Sequence, residues 1–275
     1  MALSQILKSP GGLMNKSTSK LYEIAAQQLI LDRQLHHPNP LTKFGKKCFS
    51  QSDEDGITFE ILRRLGIDVG TFAEFGVGDG LENNTLALAA AGWTGFWVGG
   101  EDLAFDVSQS PRLSYEKAWV HRDNSVDLFK RGMSNLPSDD VDVMSIDLDG
   151  NDLYICEEII AKGSSPALVI LECNANFPPP IRFCIEYDQA HVWEGDNYYG
   201  ASLASLVDMM KTYEYQLLCC NAATGSNAFF VQNENTHLFS EVPGRIDDIY
   251  VPPNHHVPRR FGHRTSLRTV QRLIC

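Results

Sequence analysis

A short glycine-rich segment contains the first residues whose types and spacing suggest chemistry. Residues Glu74–Gly80 follow an apolar run and precede a stretch of helical spacing, with glycine at every second position from 76 to 80. Glycines at such a junction permit a tight turn and let a ligand approach the main chain. The dinucleotide fingerprint G-x-G-x-x-G needs a further glycine where this chain has Leu81. The segment therefore predicts a nucleotide-type ligand site, and a nicotinamide cofactor is disfavoured.

Polar residues near this segment are candidate ligand contacts. Glu101 comes 23 residues after Gly78, beyond the next apolar run, where a carboxylate can accept hydrogen bonds from both ribose hydroxyls. Asn84 and Thr85 begin the following helix, where the same residue types also serve as helix caps. The residues predicted to bind the ligand are Glu74, Gly76, Gly78, Asp79, Gly80, Asn84, Thr85, Glu101 and Asp147.

A second group of polar residues follows two later apolar runs. Asp147 and Asp149 come directly after Val141–Ile146, and the run Ala167–Glu172 ends at Glu172, with Asn174 two residues on. Because open parallel sheets bind ligands at the carboxyl ends of their strands, these four residues could hold one Mg²⁺ or Ca²⁺ ion, which would bind two substrate hydroxyls.

The stretch from Asp147 also nearly matches a calcium-binding loop. Asp152 stands where that loop needs glycine for its sharp turn, and the preceding run alternates like a strand instead of forming an entering helix. An EF-hand is therefore disfavoured. Turn formation by Asp149 and helix capping by Asp152 remain the alternative to metal binding.

Short apolar runs alternate with helical stretches through most of the chain. The predicted strands are Thr71–Phe75, Gly95–Val98, Ala118–His121, Val141–Ile146, Ala167–Glu172, Tyr215–Cys220 and Asn227–Val231. The predicted helices between them are Asn84–Ala91, Ser125–Gly132, Asp152–Lys162 and Ala201–Thr212. This rhythm implies a parallel sheet covered on both faces. The last two strands are joined by residues 221–226 only, which permits a hairpin and forbids a parallel crossover.

The expected fold class is therefore α/β, with a doubly wound, mostly parallel seven-stranded sheet, one antiparallel edge strand and a Rossmann-like arrangement. We divide the chain into an N-terminal helical extension at 1–47, a ligand-binding α/β domain at 48–240 and a C-terminal surface tail at 241–275. The extension contains a helix at Leu21–Leu35, which the stretch His36–Pro40 ends. The tail contains a basic segment, Arg259–Arg264, which we expect to be solvated; contact with a phosphorylated substrate or acidic partner is the alternative.

The composition restricts the partners. The formal net charge of −12 opposes binding to a nucleic-acid backbone, so a small-molecule or carbohydrate partner fits better. The chain has no uninterrupted apolar stretch of about 18 residues and no signal-peptide core, so we expect no membrane span and a cytoplasmic location. None of its seven cysteines forms a C-x-x-C pair; we expect reduced core residues, with Cys219 and Cys220 on opposite faces of a strand.

Several blocks of the sequence resemble the FkbM-type methyltransferases, which use S-adenosylmethionine (SAM), and their bacterial relatives linked to sugar and glycan modification. The matching blocks are Ser50–Ile57, Phe72–Thr85, Gly92–Gly95, Ser145–Asp152, Val169–Asn174, Gly200–Leu203 and Asn227–Val231. The resemblance implies the class I methyltransferase fold, SAM as methyl donor, and a hydroxyl acceptor on a sugar or related metabolite. It also implies that Glu74 meets the ammonium group of SAM. Relatives tend to place glutamate directly after the second strand, whereas this chain has Gly99-Gly100 before Glu101.

Methyl transfer to a hydroxyl requires alignment of the acceptor and removal of a proton. The candidate bases are His191, Asp147 and Asp149, although His191 could equally be a packed loop residue. Aromatic residues that follow it, Trp193, Tyr198 and Tyr199, suit stacking on a sugar ring, although packing on the core is commoner. A nicotinamide-dependent oxidoreductase and a non-catalytic SAM- or metal-binding module are the alternative functions. The sequence leaves open whether the protein is a homo-oligomer.

Overall fold

The computed structural model describes residues 16–254 and Ile274. In chain order the strands are β1 (Thr71–Phe75), β2 (Thr94–Gly99), β3 (Leu113–Lys117), β4 (Val143–Ile146), β5 (Leu168–Glu172), β6 (Tyr215–Cys220) and β7 (Asn227–Gln232). The helices are α1 (Lys16–His36), α2 (Glu54–Leu65), α3 (Leu86–Ala90), α4 (Arg122–Met133), α5 (Asp152–Ala161), α6 (Leu203–Thr212) and α7 (Ile246–Ile249). Short 3₁₀ turns lie at Pro40–Phe44 and Asn233–Phe239.

Across the described residues the seven strands form one sheet in the order β3-β2-β1-β4-β5-β7-β6. Neighbouring strands are parallel from β3 to β5, whereas β7 is antiparallel to both β5 and β6. The expected fold class is therefore confirmed. The reversed strand is β7, one place inside the edge strand β6. The chain leaves β1 for β2 on one side and later returns to β4 on the other, so the gap between β1 and β4 is the switch point at which such sheets bind ligands.

Both faces of the sheet are covered, which explains the near-continuous apolar runs of its central strands. One core contains side chains from α4, α5 and α6, and the other contains side chains from α2 and α3. Cys220 belongs to the first core and Cys219 to the second, which confirms that they point to opposite faces. The six cysteines among the described residues are free thiols.

Two parts of the chain differ from the expectation. The third strand is Leu113–Lys117 and not Ala118–His121, because an edge strand alternates apolar with polar side chains, as in Leu113–Lys117, and needs no apolar run. The beginning of the expected surface tail is packed: α7 lies there, and Ile249 and Val251 are buried in the first core. The basic segment Arg259–Arg264 lies outside the described residues.

The N-terminal segment packs on the β6 side of the sheet. Ala26 and Ile30 of α1 are buried with Ala223, and Asn39 donates a hydrogen bond to the main-chain oxygen of Leu218 in β6. The buried side chain of Gln34 donates to the carboxylate of Asp53 at 2.9 Å. The domain boundary at residue 47 stays a prediction. Across residues 16–254, every helix is too short or too polar to cross a membrane.

Candidate functional site

The loops that follow β1 and β4 touch at the switch point. Gly76 has φ +94°, and a Cβ atom there would lie 1.6 Å from the main-chain oxygen of Asp147. The N–H of Asp147 donates to the main-chain oxygen of Phe75 at 3.0 Å. Only glycine allows the two loops to approach this closely, so Gly76 places Asp147 beside the glycine loop.

The other two glycines of this loop have different surroundings. Gly80 faces side chains, because an added Cβ atom would lie 2.9 Å from Leu103 and 3.2 Å from Phe105. Gly78, with φ +51°, would place an added Cβ atom in open space, with no other atom within 4 Å among the described residues. Gly78 is therefore the position in the loop where a ligand can approach the main chain.

Glu74 is the penultimate residue of β1, and its carboxylate binds the beginning of α3. It accepts hydrogen bonds from the N–H groups of Asn84 (2.9 Å) and Thr85 (3.0 Å) and from the Thr85 hydroxyl (2.5 Å). Burial raises the pKa of Glu74, while these hydrogen bonds lower it. The expected contact with a ligand's ammonium group stays a prediction, and the observed role of Glu74 is to shape the loop.

The polar side chains at the beginning of α3 are also buried in an internal network. Asn84 donates through Nδ2 to the Ser145 hydroxyl at 3.1 Å and to the Asn227 side-chain oxygen at 3.2 Å. The Trp97 indole donates to the Thr85 hydroxyl at 2.8 Å. Asn84 and Thr85 therefore join β1, β2, β4 and β7 beneath the loop.

Two predicted ligand contacts lie at the surface. Asp79 is exposed, and its Oδ1 accepts a hydrogen bond from the N–H of Leu81 at 3.0 Å, which closes a turn. Glu101 is exposed two residues beyond the end of β2, where its main-chain oxygen accepts a hydrogen bond from the Tyr115 hydroxyl. The two-residue displacement noted in the sequence is thus present, and the Glu101 side chain extends from the surface beside the ligand edge.

Three of the four predicted metal ligands come together. Carboxylate oxygens of Asp147, Asp149 and Glu172 lie within 4.8 Å of one another. Oε2 of Glu172 is buried without a hydrogen-bond partner among the described residues. Asp149 has φ +54°, a backbone conformation that non-glycine residues adopt at a cost. Burial, and then the neighbouring carboxylates, raise the pKa of Asp147 and of Glu172 well above the ordinary range.

The donor set of this acidic trio (Asp147, Asp149 and Glu172) fits a hard divalent cation. Such a cation takes oxygen ligands, and it would offset both the repulsion between the carboxylates and the loss of a partner at Oε2 of Glu172. The same loop also contains the hydrogen bonds of a turn. Asp152 accepts hydrogen bonds from the N–H groups of Leu148 (2.6 Å) and Gly150 (3.0 Å), and burial raises its pKa to about 7.

The fourth predicted metal ligand, Asn174, makes hydrogen bonds to the segment 197–199 and to Asn176. Its Nδ2 donates to the main-chain oxygens of Asn197 (2.9 Å) and Tyr199 (2.8 Å), and its Oδ1 accepts hydrogen bonds from Asn176. Asn174 lies outside the acidic trio, and it fixes the segment 197–199 against the end of β5.

His191 lies against the acidic loop. Its ring packs over Gly150, where an added Cβ atom would lie 2.3 Å from the imidazole Cδ2. Its Nε2 is buried without a hydrogen-bond partner among the described residues. Burial, and then the charges of Glu172 and its neighbours, raise the pKa of Tyr199. The segment 188–199 therefore covers one side of the acidic trio, and the three candidate bases lie in one region.

One buried carboxylate near the site was not predicted from the sequence. Glu54, at the beginning of α2, accepts hydrogen bonds from the Ser52 hydroxyl (2.7 Å) and from Nδ2 of Asn221 (3.0 Å) and Asn227 (3.2 Å). Its charge contributes to the raised pKa of Asp147. The acidic run at 53–55 could have indicated this residue in the sequence, because it lies in the block Ser50–Ile57 that resembles the FkbM-type methyltransferases.

No protein-family model matches the chain, and no curated protein matches it significantly. Similar solved structures include an O-methyltransferase from Bacillus cereus in complex with SAH, with 12% identity, coverage of 77% of this chain and 97% of that chain, and a TM-score of 0.38. An O-methyltransferase family 2 protein from Planctomyces limnophilus DSM 3776, in complex with apigenin, has 14% identity, coverage of 80% and 66%, and a TM-score of 0.35. The glycopeptide N-methyltransferase MtfA has 13% identity, coverage of 70% and 94%, and a TM-score of 0.36.

These neighbours are methyltransferases, but identity and TM-scores at this level do not show that the chain shares their activity. The FkbM family is not confirmed by these comparisons. Function has to be inferred from the residues of the site.

Proposed function

We propose that this chain is a SAM-dependent O-methyltransferase of the FkbM type, acting in the cytoplasm on a hydroxyl of a sugar or glycan-related small molecule. The observation that carries the proposal is the open main chain at Gly78, in the loop that Gly76 holds against Asp147 at the switch point. A Rossmann-like sheet binds nucleotide-type ligands at this place, and the loop leaves main chain accessible there.

The charge at this edge favours SAM over a dinucleotide. Carboxylate oxygens of Asp147, Asp149 and Glu172 lie within 4.8 Å of one another at this edge, and Glu74 lies on the adjacent strand β1. The sulfonium and ammonium groups of SAM are cationic, so such a field attracts them. A dinucleotide would bring a negatively charged pyrophosphate into the same field, and Leu81 occupies the place of the third glycine.

The residues beside the loop can serve the acceptor hydroxyl. Nε2 of His191 is buried and has no hydrogen-bond partner among residues 16–254, so it is the first candidate to accept a hydrogen bond from the acceptor hydroxyl. Asp147 and Asp149 are the alternative bases. A divalent cation held by the acidic trio would lower the pKa of a bound hydroxyl by Lewis-acid polarisation.

Aromatic surface next to His191 suits a sugar ring. Tyr198 is 47% exposed, and its ring centroid lies 6.2 Å from that of His191. Trp193 is 39% exposed; its indole donates to the main-chain oxygen of Asp196 at 2.7 Å, which fixes the ring. Exposed, oriented aromatic faces are the surfaces on which sugar rings stack.

Turnover tests this proposal. The purified protein would be incubated with methyl-labelled SAM and a panel of free sugars, nucleotide sugars, phenols and amines, each with magnesium or with a chelator. We expect labelled product and S-adenosylhomocysteine (SAH) with a hydroxyl acceptor of the sugar classes. Labelling of amines alone would contradict the O-methyl type, and SAM binding without turnover on any acceptor would favour the non-catalytic module.

A further inference from the structure

The helix α1 presents apolar side chains on two opposite faces. One face is buried against the domain through Ala26, Ile30 and Gln34. The opposite face carries Leu21, Ile24, Leu31 and Leu35, which are 68%, 62%, 50% and 61% exposed. A surface helix ordinarily has a polar outer face, so this outer stripe (Leu21, Ile24, Leu31 and Leu35) needs an explanation.

The spacing of the outer stripe is that of a helix–helix seam. Leu21, Ile24, Leu31 and Leu35 occupy successive a and d positions of a heptad repeat, and the exposed Gln28 occupies the remaining a position between them. Apolar residues at a and d form the contact between paired helices, and one polar residue at an a position fixes register at a cost in affinity. The pattern therefore indicates a second helix of similar type as the partner of α1.

The exposed area is sufficient for a modest specific interface. Each Leu or Ile side chain carries about 130 Å² of apolar surface, so four of them at the observed exposures leave about 300 Å² on each copy. Two copies would bury about 600 Å² of apolar surface. Since apolar atoms make up roughly 60% of such interfaces, the total reaches about 1,000 Å², the lower bound for a specific association.

Charge and chain path favour a second copy of this protein. The chain carries a net charge of −12, but the sequence of α1 has three basic residues (Lys16, Lys20, Arg33) against two acidic ones (Glu23, Asp32), so this helix does not share the acidic excess of the chain. The far end of the chain lies elsewhere. Ile274 is buried, and its main-chain oxygen accepts a hydrogen bond from Ser110 on the β3 side of the sheet, opposite the β6 side where α1 packs.

We propose that two copies of this chain associate through the outer stripe of α1 and form a homodimer. The proposal is independent of the methyltransferase activity. Its apolar seam is short, so association is in the micromolar range and is sensitive to single substitutions at a and d positions.

Sedimentation velocity of the full chain, over about a hundredfold range of concentration, tests the proposal. We expect the wild type to pass from monomer to dimer. Leu31→Glu places a charge in the seam and should weaken association at least tenfold. Leu29→Glu, the same substitution at an exposed leucine in a b position off the stripe, should leave it within about twofold. Gln28→Leu should strengthen association at least tenfold, because it completes the apolar seam.

Three outcomes would overturn the proposal. The first is a wild type that stays monomeric at every concentration, including one that binds lipid vesicles instead. The second is equal weakening by Leu29→Glu and Leu31→Glu. The third is a Leu31→Glu protein that melts clearly below a wild type diluted to its monomeric state. Loss of the dimer cannot explain that difference, so the stripe would then be covered by the chain's own terminal residues.

Discussion

Replacing Gly78 by alanine tests the proposed ligand site while leaving the fold intact. At Gly78 the added methyl group meets no protein atom within 4 Å among the described residues, and the residue keeps φ +51°. A left-handed conformation costs alanine about 1 kcal/mol relative to glycine. The variant should therefore fold, with a free energy of unfolding lowered by about 1–2 kcal/mol.

The effect on ligand binding should be larger than the effect on stability. The methyl group occupies the space through which SAM would approach the main chain, so we expect its affinity to fall at least tenfold, which corresponds to about 1.4 kcal/mol. Gly76 differs from Gly78, because its Cβ atom would lie 1.6 Å from the main-chain oxygen of Asp147. Gly76→Ala should fail to fold.

Gly66 provides a matched control. It follows α2 with φ +73°, and an added Cβ atom there would also lie in open space. The 12 residues of α2 place it about 18 Å from the acidic residues at the beginning of that helix. Chemical denaturation should show similar losses for Gly66→Ala and Gly78→Ala, and calorimetric titration should show weaker SAM binding for Gly78→Ala alone. Unchanged affinity in folded Gly78→Ala protein would refute the assignment of the ligand site.

Three further predictions concern the titratable side chains of Asp53, Glu172 and His191. Burial, and then the charge of Glu54, raise the pKa of Asp53 to about 6, so folding favours the protonated carboxyl group. The contribution of this group to the free energy of unfolding is fully present below about pH 4 and is lost as the pH rises through 6, a change of about 2–3 kcal/mol. In chelator the melting temperature should be higher at pH 5 than at pH 8; a flat or opposite profile would contradict this. Glu172→Gln removes a buried carboxylate whose Oε2 has no hydrogen-bond partner in the described part of the chain, so at pH 8 in chelator the free energy of unfolding should rise by about 1–2 kcal/mol. Magnesium should no longer stabilise this variant; retained magnesium stabilisation would exclude the acidic trio as the metal site. His191→Ala should lower turnover about 10²-fold or more without changing SAM affinity, and equal loss of both would indicate a structural role.

The sequence predicted the sheet well, because the sheet depends on local patterns. Strands β1 and β6 begin and end where the apolar runs do. For β1 the reason is that buried strands of a parallel sheet read as continuous apolar segments. The acidic trio could be anticipated because the carboxyl ends of adjacent parallel strands meet at one edge. The strand β3 was misplaced, because an edge strand does not require an apolar run.

The roles of individual polar side chains were harder to predict. The partners of Glu74 are N–H groups at the beginning of α3, whose positions depend on the folded loop and not on residue type. Asn174 has the chemistry of a metal ligand, but its side-chain oxygen accepts hydrogen bonds from Asn176, which residue type alone does not indicate. Glu54 is far from the site in sequence, and only the hydrogen bonds to Asn221 and Asn227 bring it there.

The central claim is that the edge between β1 and β4 binds SAM. Isothermal titration of the purified wild type with SAM, SAH and NAD, each with magnesium and with a chelator, tests it most directly. The structure predicts micromolar binding of SAM and SAH and none of NAD, because the acidic edge attracts the cationic groups of SAM and repels a pyrophosphate. Binding of NAD alone, or of none of the three compounds, would contradict the claim.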